Sequence, residues 1–234
     1  MIDLFARPLG ALVKVIYNFV YSLGFDAKLF SAYSIAIIIA TIILRFILLP
    51  LTLKQMRSMK KMQELQPKIK ELQNKYKNDQ QTLNIKTMEL YKEHNVNPFS
   101  GCFPILIQFP IIIGFFRVLQ NPVNYIFGSE AVYESINKTF LWISNLNNPD
   151  PWILPLLAGI TTYFTSKMTN TAGGNAQAEA TQKTMTIMFP FMIFFFAKNF
   201  PAGLTLYWVV GNVFQIVQQY LMNRSTGNVK EESN

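Results

Sequence analysis

The sequence has few of the residue types from which enzyme active sites and disulfide frameworks are built. Among its 234 residues there is one cysteine, Cys102, and one histidine, His94. A single cysteine excludes a disulfide within the chain, and a single histidine excludes zinc motifs that need two histidines on one helix. The sequence also lacks a Gly-rich phosphate loop and a plausible Ser–His pair. We therefore expect no catalytic residues, no metal site and no cofactor.

Charge is scarce outside one segment. Only 15% of the residues are charged, and residues 54–97 hold ten of the 21 Lys and Arg residues and five of the 13 Asp and Glu residues. Hydrophobic residues make up 50% of the chain, and the mean hydropathy is +0.21. A soluble domain of this size is normally more polar. The composition indicates a membrane protein with one charged insert and argues against a soluble enzyme.

The net charge of +8 does not indicate a nucleic-acid-binding protein. The basic residues form no continuous patch, and nearly half of them lie in the one insert, mixed with acidic residues. Basic loops next to membrane spans are common, because positive charge is retained on the cytosolic side and attracts anionic lipid headgroups. We expect no direct sequence-specific binding of nucleic acid.

Long apolar segments predict an all-α membrane protein with five transmembrane helices. Residues 120–151 are predicted to form an extracellular loop, residues 169–183 a polar cytosolic loop and residues 223–234 a short cytosolic tail. A tight turn that begins the last predicted segment, at residues 200–203, predicts that the last two spans form an antiparallel hairpin. The predicted spans are residues 31–53, 98–119, 152–168, 184–199 and, with the turn, 200–222.

The distribution of Lys and Arg predicts the orientation of the spans. Most of these residues lie in residues 54–97, in the loop 169–183 with its flanks and in the tail. The opposite side carries Arg7, Lys14, Lys28, Lys138 and Lys198. Because basic loops stay in the cytosol, the N-terminus is expected outside and the C-terminus in the cytosol.

Residues 1–30 have the periodicity of an amphipathic helix on the extracellular side. Polar or small residues, including Arg7, Gly10 and Lys14, fall opposite the apolar stripe, which predicts a helix that lies in the plane of the membrane interface. A cleaved signal peptide is the alternative, but Lys14 would interrupt its apolar core. The apolar stripe consists of Phe5, Leu9, Leu12, Ile16, Phe19 and Leu23.

Residues 54–97 predict a cytosolic helical hairpin. Its apolar residues keep helical spacing, residues 77–80 form the predicted turn, and a second helix is expected over residues 82–94. Pro67 is expected to kink the first helix, because proline removes a backbone donor. The hairpin is either a solvated spacer or a mobile docking element for a client or partner, and its length slightly favours the second interpretation.

Arg45 is the most informative single residue. It lies in the middle of the first predicted span, and none of the five spans contains Asp or Glu. An arginine at the centre of a membrane helix costs about 2.5–3.5 kcal/mol even on insertion-based scales. Snorkelling to the interface is strained because Arg45 lies far from both ends of the span. We therefore predict a hydrated, cationic cavity inside the bilayer.

Further polar residues in the spans are candidates for lining this cavity. Thr41 lies one helical turn before Arg45, and Gln108 lies in the middle of the second span. The alternative for each polar residue is a hydrogen bond that joins two helices, worth about 0.6 kcal/mol. For the two aromatic candidates, the alternative is a place in the interfacial aromatic belt. The candidates in the fifth span are Tyr207, Trp208, Asn212, Gln215 and Gln219.

Two motifs resemble the YidC/Oxa/Alb family of membrane protein insertases, in its Gram-positive YidC form. They are NPFSGCFPILIQFPI at residues 97–111 and FPAGLTLYWVVGNVFQIVQQ at residues 200–219. Arg45 followed by Pro50, and the Met- and Lys-rich hairpin, agree with the same family. The resemblance covers about residues 1–223 and includes the order of the five spans.

The resemblance implies an insertase and chaperone in the bacterial plasma membrane, without covalent chemistry. A hydrophilic groove open to the cytosol and to lipid would be centred on Arg45, and Thr41 and Trp208 match positions along the client path in relatives. The implied partners are newly made small membrane proteins and the lipid bilayer. The Sec translocon and the ribosome stay open as further partners, and a monomer is expected. The alternatives are a small transporter or channel with Arg45 as an anion site, and a chaperone that assembles proteins already inserted.

Overall fold

The computed structural model describes residues 3–97, 103–169 and 176–231, and this part of the chain is helical with only isolated β-bridges. A π-helical turn, Val123–Phe127, lies between α5 and α6. The helices are α1 (Asp3–Ser22), α2 (Ala32–Glu64), α3 (Gln66–Lys75), α4 (Gln80–Glu93), α5 (Phe103–Gln120), α6 (Glu130–Ser135), α7 (Ile153–Thr169), α8 (Ala176–Ala197) and α9 (Ala202–Glu231).

Helix α2 continues past the end of the predicted first span. It begins after Ser31, whose hydroxyl accepts a hydrogen bond from the backbone of Ser34, and it runs through Pro50 without a break. It ends at Glu64, and Pro67 lies in the first turn of α3. The predicted kink at Pro67 is therefore a helix boundary, because proline fits the first turn of a helix, where its missing N–H costs no hydrogen bond.

Helix α2 is long and apolar enough to cross a membrane. Among the described residues it is the only helix that meets both criteria of length and composition. Helices α5 and α8 contain shorter apolar stretches, Gln108–Gln120 and Lys183–Ala197. The helical class of the fold agrees with the prediction, and the number of spans stays a prediction.

The predicted N-terminal helix forms as α1, but its buried face differs from the predicted stripe. Phe5, Phe19 and Leu23 are exposed, whereas Gly10, expected on the polar face, is buried. A Cβ at Gly10 would lie 2.5 Å from the carbonyl oxygen of Tyr125, so only glycine permits this close approach. The buried face packs on α2 and α5 and consists of Ala6, Leu9, Gly10, Val13, Ile16, Tyr17 and Val20.

Helices α3 and α4 form a hairpin within the segment 54–97, with its turn at residues 76–79, whereas residues 54–64 belong to α2. Ile69 is fully buried, and it packs in a small core with Met62, Leu65, Tyr91 and Val96 that is separate from the main core. Helix α4 begins at Gln80 because the carboxylate of Asp79 accepts hydrogen bonds from the backbone and hydroxyl of Thr82. These bonds lower the pKa of Asp79 below its usual value.

The last three helices do not pack in the order of the chain. Helix α7 packs extensively against both α8 and α9, so α8 and α9 are joined mainly through α7. The close turn before Ala202 therefore connects two helices that have another helix between them, so the predicted packing of the last two spans as a hairpin is wrong. Helix α8 begins at Ala176, within the stretch predicted as a polar loop, so part of that loop is helical. The remaining loop residues, 170–175, lie outside the described residues.

The segment 136–150 caps one end of the bundle, which we call the loop end. Its backbone carbonyls accept hydrogen bonds from Ser31 before α2 and from Ala202 and Gly203 at the start of α9. Asp150 accepts a hydrogen bond from the backbone N–H of Leu154 in the first turn of α7. Three helix starts thus have their unpaired N–H groups satisfied by one loop, which fixes this end of the bundle.

The main hydrophobic core lies near the loop end. On α2, seven residues between Ala32 and Thr41 are buried, and the next buried residue is Gln55. From Ile42 to Lys54, no residue of α2 is buried. The part of α2 that contains Arg45 is therefore less closely packed than its first three turns.

Candidate functional site around Arg45

The guanidinium of Arg45 lies against the backbone of α9. A Cβ placed on Gly211 would lie 3.1 Å from both Cζ and Nε of Arg45 and closer still to Nη2. The arginine is half-buried, and among the described residues no carboxylate forms an ion pair with it. A guanidinium within an apolar helix is tolerable where water or a bound ligand can accept hydrogen bonds from it.

Two predicted site residues, Gln108 and Tyr207, contact each other across α5 and α9. The side-chain amide of Gln108 on α5 donates a hydrogen bond of 2.6 Å to the hydroxyl of Tyr207 on α9. Tyr207 is 2% exposed, and its ring stacks on Phe115 with centroids 4.4 Å apart. Tyr207 lies one helical turn before Gly211, the residue whose backbone the Arg45 guanidinium contacts. The structure therefore joins Gln108 of α5 to Tyr207 of α9, one turn from the place where Arg45 of α2 meets α9.

Thr41 does not line an open surface. It is fully buried, and its hydroxyl donates a hydrogen bond of 2.7 Å to the carbonyl oxygen of Ile37 in the preceding turn. Its hydrogen-bonding capacity as a donor is thus used within α2. The residue marks the point where the closely packed part of the helix ends, one turn before Arg45.

Trp208 and Asn212 point to another face of α9. The indole N–H of Trp208 donates to the hydroxyl of Thr162 on α7 at 2.9 Å. The amide of Asn212 donates to the hydroxyls of Thr161 and Thr162 at 3.1 and 3.0 Å. Gly211 faces Arg45 of α2, and Tyr207 one turn before it contacts α5, whereas Trp208 and Asn212 face α7, because neighbouring residues of a helix point about 100° apart. Two of the predicted residues therefore join helices.

Three glutamines follow on α9 after Asn212: Gln215, Gln218 and Gln219. Gln215 is half-buried, and Gln219 is buried with an amide oxygen that has no hydrogen-bond partner among the described residues. Gln218 donates a hydrogen bond of 2.8 Å to the hydroxyl of Thr52, which joins α9 to α2 two turns beyond Arg45.

Three contributors to this region are not predicted from the sequence: Gly211, Thr161 and Thr162. Gly211 carries no side chain, but an interior glycine in an apolar helix was the available signal, since glycine costs about 1 kcal/mol relative to alanine there. Thr161 and Thr162 are adjacent threonines in an apolar segment, a pattern that predicts hydrogen bonds between membrane helices. Their partners on α9 could not be inferred, because the α7–α9 contact joins distant parts of the chain.

Comparison with known proteins identifies the family. The model of the 60Kd inner membrane protein family matches residues 25–230, which is most of the chain. The chain belongs to the 60Kd inner membrane protein family. It is 41% identical over 216 residues to the membrane protein insertase YidC of Fusobacterium nucleatum, covering 90% of this chain and 98% of that protein. The resemblance inferred from the motifs is thereby confirmed.

Other members of the 60Kd inner membrane protein family differ in length. The membrane protein insertase MisCA of Bacillus subtilis is 44% identical over 195 residues, covering 81% of this chain and 70% of MisCA. The YidC of Geobacter sp. is 42% identical over 207 residues, covering 88% of this chain but only 36% of that protein. Membership of this family supports a location in the bacterial plasma membrane.

Proposed function

We propose that this protein is a membrane protein insertase and chaperone. It moves short translocated segments of client membrane proteins through a hydrophilic groove centred on Arg45 and releases their apolar helices into lipid. The observation that carries the proposal is the half-buried guanidinium of Arg45 in an otherwise apolar stretch of α2, next to Gln108 and Tyr207. A guanidinium at this position is tolerable when it faces water, which makes the surrounding space hydrated.

The packing of the bundle supports a groove that is closed at one end. Segment 136–150 accepts hydrogen bonds from backbone N–H groups at the starts of α2, α7 and α9, and the main core lies at the same end. Beyond Thr41, α2 has no buried residue until Gln55. A client segment would approach Arg45 from the hairpin end, where the helices are less closely packed, and would be stopped by the loop end.

Electrostatics supports acidic translocated segments as the preferred clients. A cation in a partly desolvated site attracts a carboxylate more strongly than a surface cation does, because the effective dielectric constant is lower. Gln108 and Tyr207 add polar groups beside Arg45, and Gln215 continues the polar surface towards the hairpin. In this mechanism Thr41, Trp208 and Asn212 form the walls rather than the polar lining. No step requires a covalent intermediate, a metal or a cofactor.

The proposal includes the topology predicted from charge. Five spans place the N-terminus outside and the C-terminus in the cytosol, with α1 in the outer interface and the α3–α4 hairpin in the cytosol. The loop end then faces outwards and the hairpin end faces the cytosol. A monomer suffices, because Arg45, Gln108 and Tyr207 come from one chain. Newly made membrane proteins are the partners, and the hairpin is the surface available to the ribosome or the Sec translocon.

The decisive experiment is insertion of a small single-span client into liposomes that carry this protein. Protection of the translocated segment from protease is measured with the wild type, with Arg45→Ala and with Arg57→Ala. Arg57 is the matched control, since it is an exposed arginine further along the same helix. We expect protection with the wild type and the control and its loss with Arg45→Ala. If the translocated segment were protected as well in empty liposomes as in liposomes with the wild type, insertase activity would be contradicted and a chaperone or a transporter favoured.

A further inference from the structure

The contact between Arg45 and Gly211 has a specific geometry. All three atoms nearest to a Cβ placed on Gly211 belong to the guanidinium: Nη2, Cζ and Nε. A Cβ within 3.1 Å of these atoms is closer than van der Waals contact permits. The guanidinium therefore occupies the space that any side chain at residue 211 would need.

The glycine is not required by the backbone. Gly211 lies well inside α9, and its φ is not in the left-handed region that favours glycine. Interior glycine weakens a helix relative to alanine. The reason for glycine at this position is the space above it, which the Arg45 side chain fills.

The guanidinium has little else to hold it. Among the described residues it has no ion pair, and Tyr207, one turn before Gly211, lies on the same face of α9. Tyr207 itself is fixed by Gln108 and by stacking on Phe115. Shape, rather than a salt bridge, sets the place of the cation relative to these groups.

We propose that Gly211 is a positioning residue for Arg45: its bare backbone seats the guanidinium against α9, beside Tyr207. A methyl group at residue 211 displaces the charge from this seat. The displacement has a small cost in stability, because the clashing atoms are the far end of a flexible side chain. Gly10 is the opposite case, since a methyl group there would meet the backbone of Tyr125.

The first test measures the position of Arg45 directly, without any insertion assay. The purified protein in liposomes is treated with an arginine-specific dicarbonyl reagent, and the modification of each arginine is quantified by peptide mass spectrometry, with Arg57 as internal reference. We expect Gly211→Ala to increase the modification rate of Arg45 by about threefold, because the displaced guanidinium is no longer covered on one side by the backbone of α9. An unchanged rate would overturn the proposal.

Gly159→Ala is the matched control for this test. It replaces another glycine inside an apolar helix, where the added Cβ would have its nearest neighbours at an ordinary 3.4 Å. Both variants gain the same helix propensity, so a comparison of their thermal unfolding separates a local displacement from a loss of folding. We expect both to fold and Gly159→Ala to leave the reactivity of Arg45 unchanged. Gly211→Ser gives a second variant with a different small side chain.

The second test depends on the proposed function and uses insertion of an acidic client. Gly211→Ala is expected to lower insertion about fivefold, which corresponds to about 1 kcal/mol. In an Arg45→Lys background the same substitution should have no further effect, because lysine lacks the planar group that the methyl displaces. Equal loss in both backgrounds would contradict the positioning role. If Arg45→Ala leaves insertion unchanged, the proposed function fails, and the reactivity test still decides the role of Gly211.

Discussion

At the residue scale, the site is defined by one cation and the few groups that touch it. Arg45 is identifiable from the sequence because an arginine in an apolar run is costly. Its neighbours could not be identified in the same way. Gln108 precedes Tyr207 by 99 residues, and their hydrogen bond depends on how α5 and α9 pack. Sequence spacing correctly placed Thr41 one turn before Arg45, but gave no indication that its hydroxyl is satisfied inside α2.

The first residue-scale prediction concerns the charge of Arg45. Arg45→Lys keeps the charge and should retain most of the insertion activity, whereas Arg45→Ala should lower insertion of an acidic client about tenfold, or about 1.4 kcal/mol. The measurement compares a client whose translocated segment carries Asp and Glu with one that carries Asn and Gln instead.

The neutral client provides the contrast for this prediction. If Arg45 attracts carboxylates, Arg45→Ala should lower insertion of the acidic client more than insertion of the neutral client. Equal impairment of the two clients would mean that Arg45 acts by hydrating the cavity or by packing, and it would refute the electrostatic part of the mechanism.

At the element scale, the polar residues of α9 divide between two neighbours. The face with Tyr207 and Gly211 meets α5 and α2, and the face with Trp208 and Asn212 meets α7. The sequence predicted a polar stripe on this helix, and helical periodicity accounts for that part. The sequence does not show which stripe meets which helix, because that depends on the order in which the helices pack. In the structure α7 lies between α8 and α9.

The second prediction tests the hydrogen bonds between α7 and α9. Thr162→Val keeps the shape of the side chain but removes the hydroxyl that accepts from Trp208 and Asn212. The free energy of unfolding should fall by about 1 kcal/mol, since bonds of this kind contribute about 0.6 kcal/mol each. Thermal or denaturant unfolding in detergent micelles measures the change.

Thr165→Val is the matched control on the same helix. Thr165 is buried, and its hydroxyl bonds carbonyl oxygens of its own helix, those of Thr161 and Thr162. We expect this variant to be close to the wild type in stability. A loss of equal size in the two variants would show that the bonds to α9 contribute nothing.

The third prediction concerns the independence of the α3–α4 hairpin. Ile69 is fully buried in the small core of the hairpin, so Ile69→Ala should destabilise that core by about 2–5 kcal/mol. Because this core is separate from the main one, amide hydrogen exchange should accelerate in α3 and α4 and stay unchanged in α7 and α9. Ile85→Ala is the control, since Ile85 is 57% exposed. Acceleration throughout the bundle would contradict independent folding of the hairpin.

At the scale of the whole molecule, the two ends of the bundle differ in packing. The loop end holds the main core and a segment that caps three helices, whereas the hairpin end carries the charged helices α3 and α4. The apolar runs and the charged insert of the sequence already predict this division into a membrane part and a polar part. The tight closure of the loop end depends on hydrogen bonds between distant segments, such as that from Gly203 to Leu146.

The fourth prediction tests the orientation of the bundle. In a Cys102→Ser background, single cysteines replace Ser135, an exposed residue at the loop end, or Lys77, an exposed residue in the hairpin turn. A maleimide that cannot cross membranes should label intact cells only at residue 135, because the basic hairpin is expected in the cytosol. After permeabilisation both sites should react. Labelling of residue 77 in intact cells would refute the proposed topology.

The sequence alone determined the helical class, the charged hairpin with its turn, and the presence of a cation in an apolar helix, because each of these depends on local composition or periodicity. Only the tertiary structure decided which face of α1 is buried, which helices flank α7, and which backbone lies under Arg45. These features depend on contacts between residues far apart in the chain, and a helical pattern fixes a face without fixing its partner. Gly211 is the clearest example, since its importance depends entirely on a side chain from another helix.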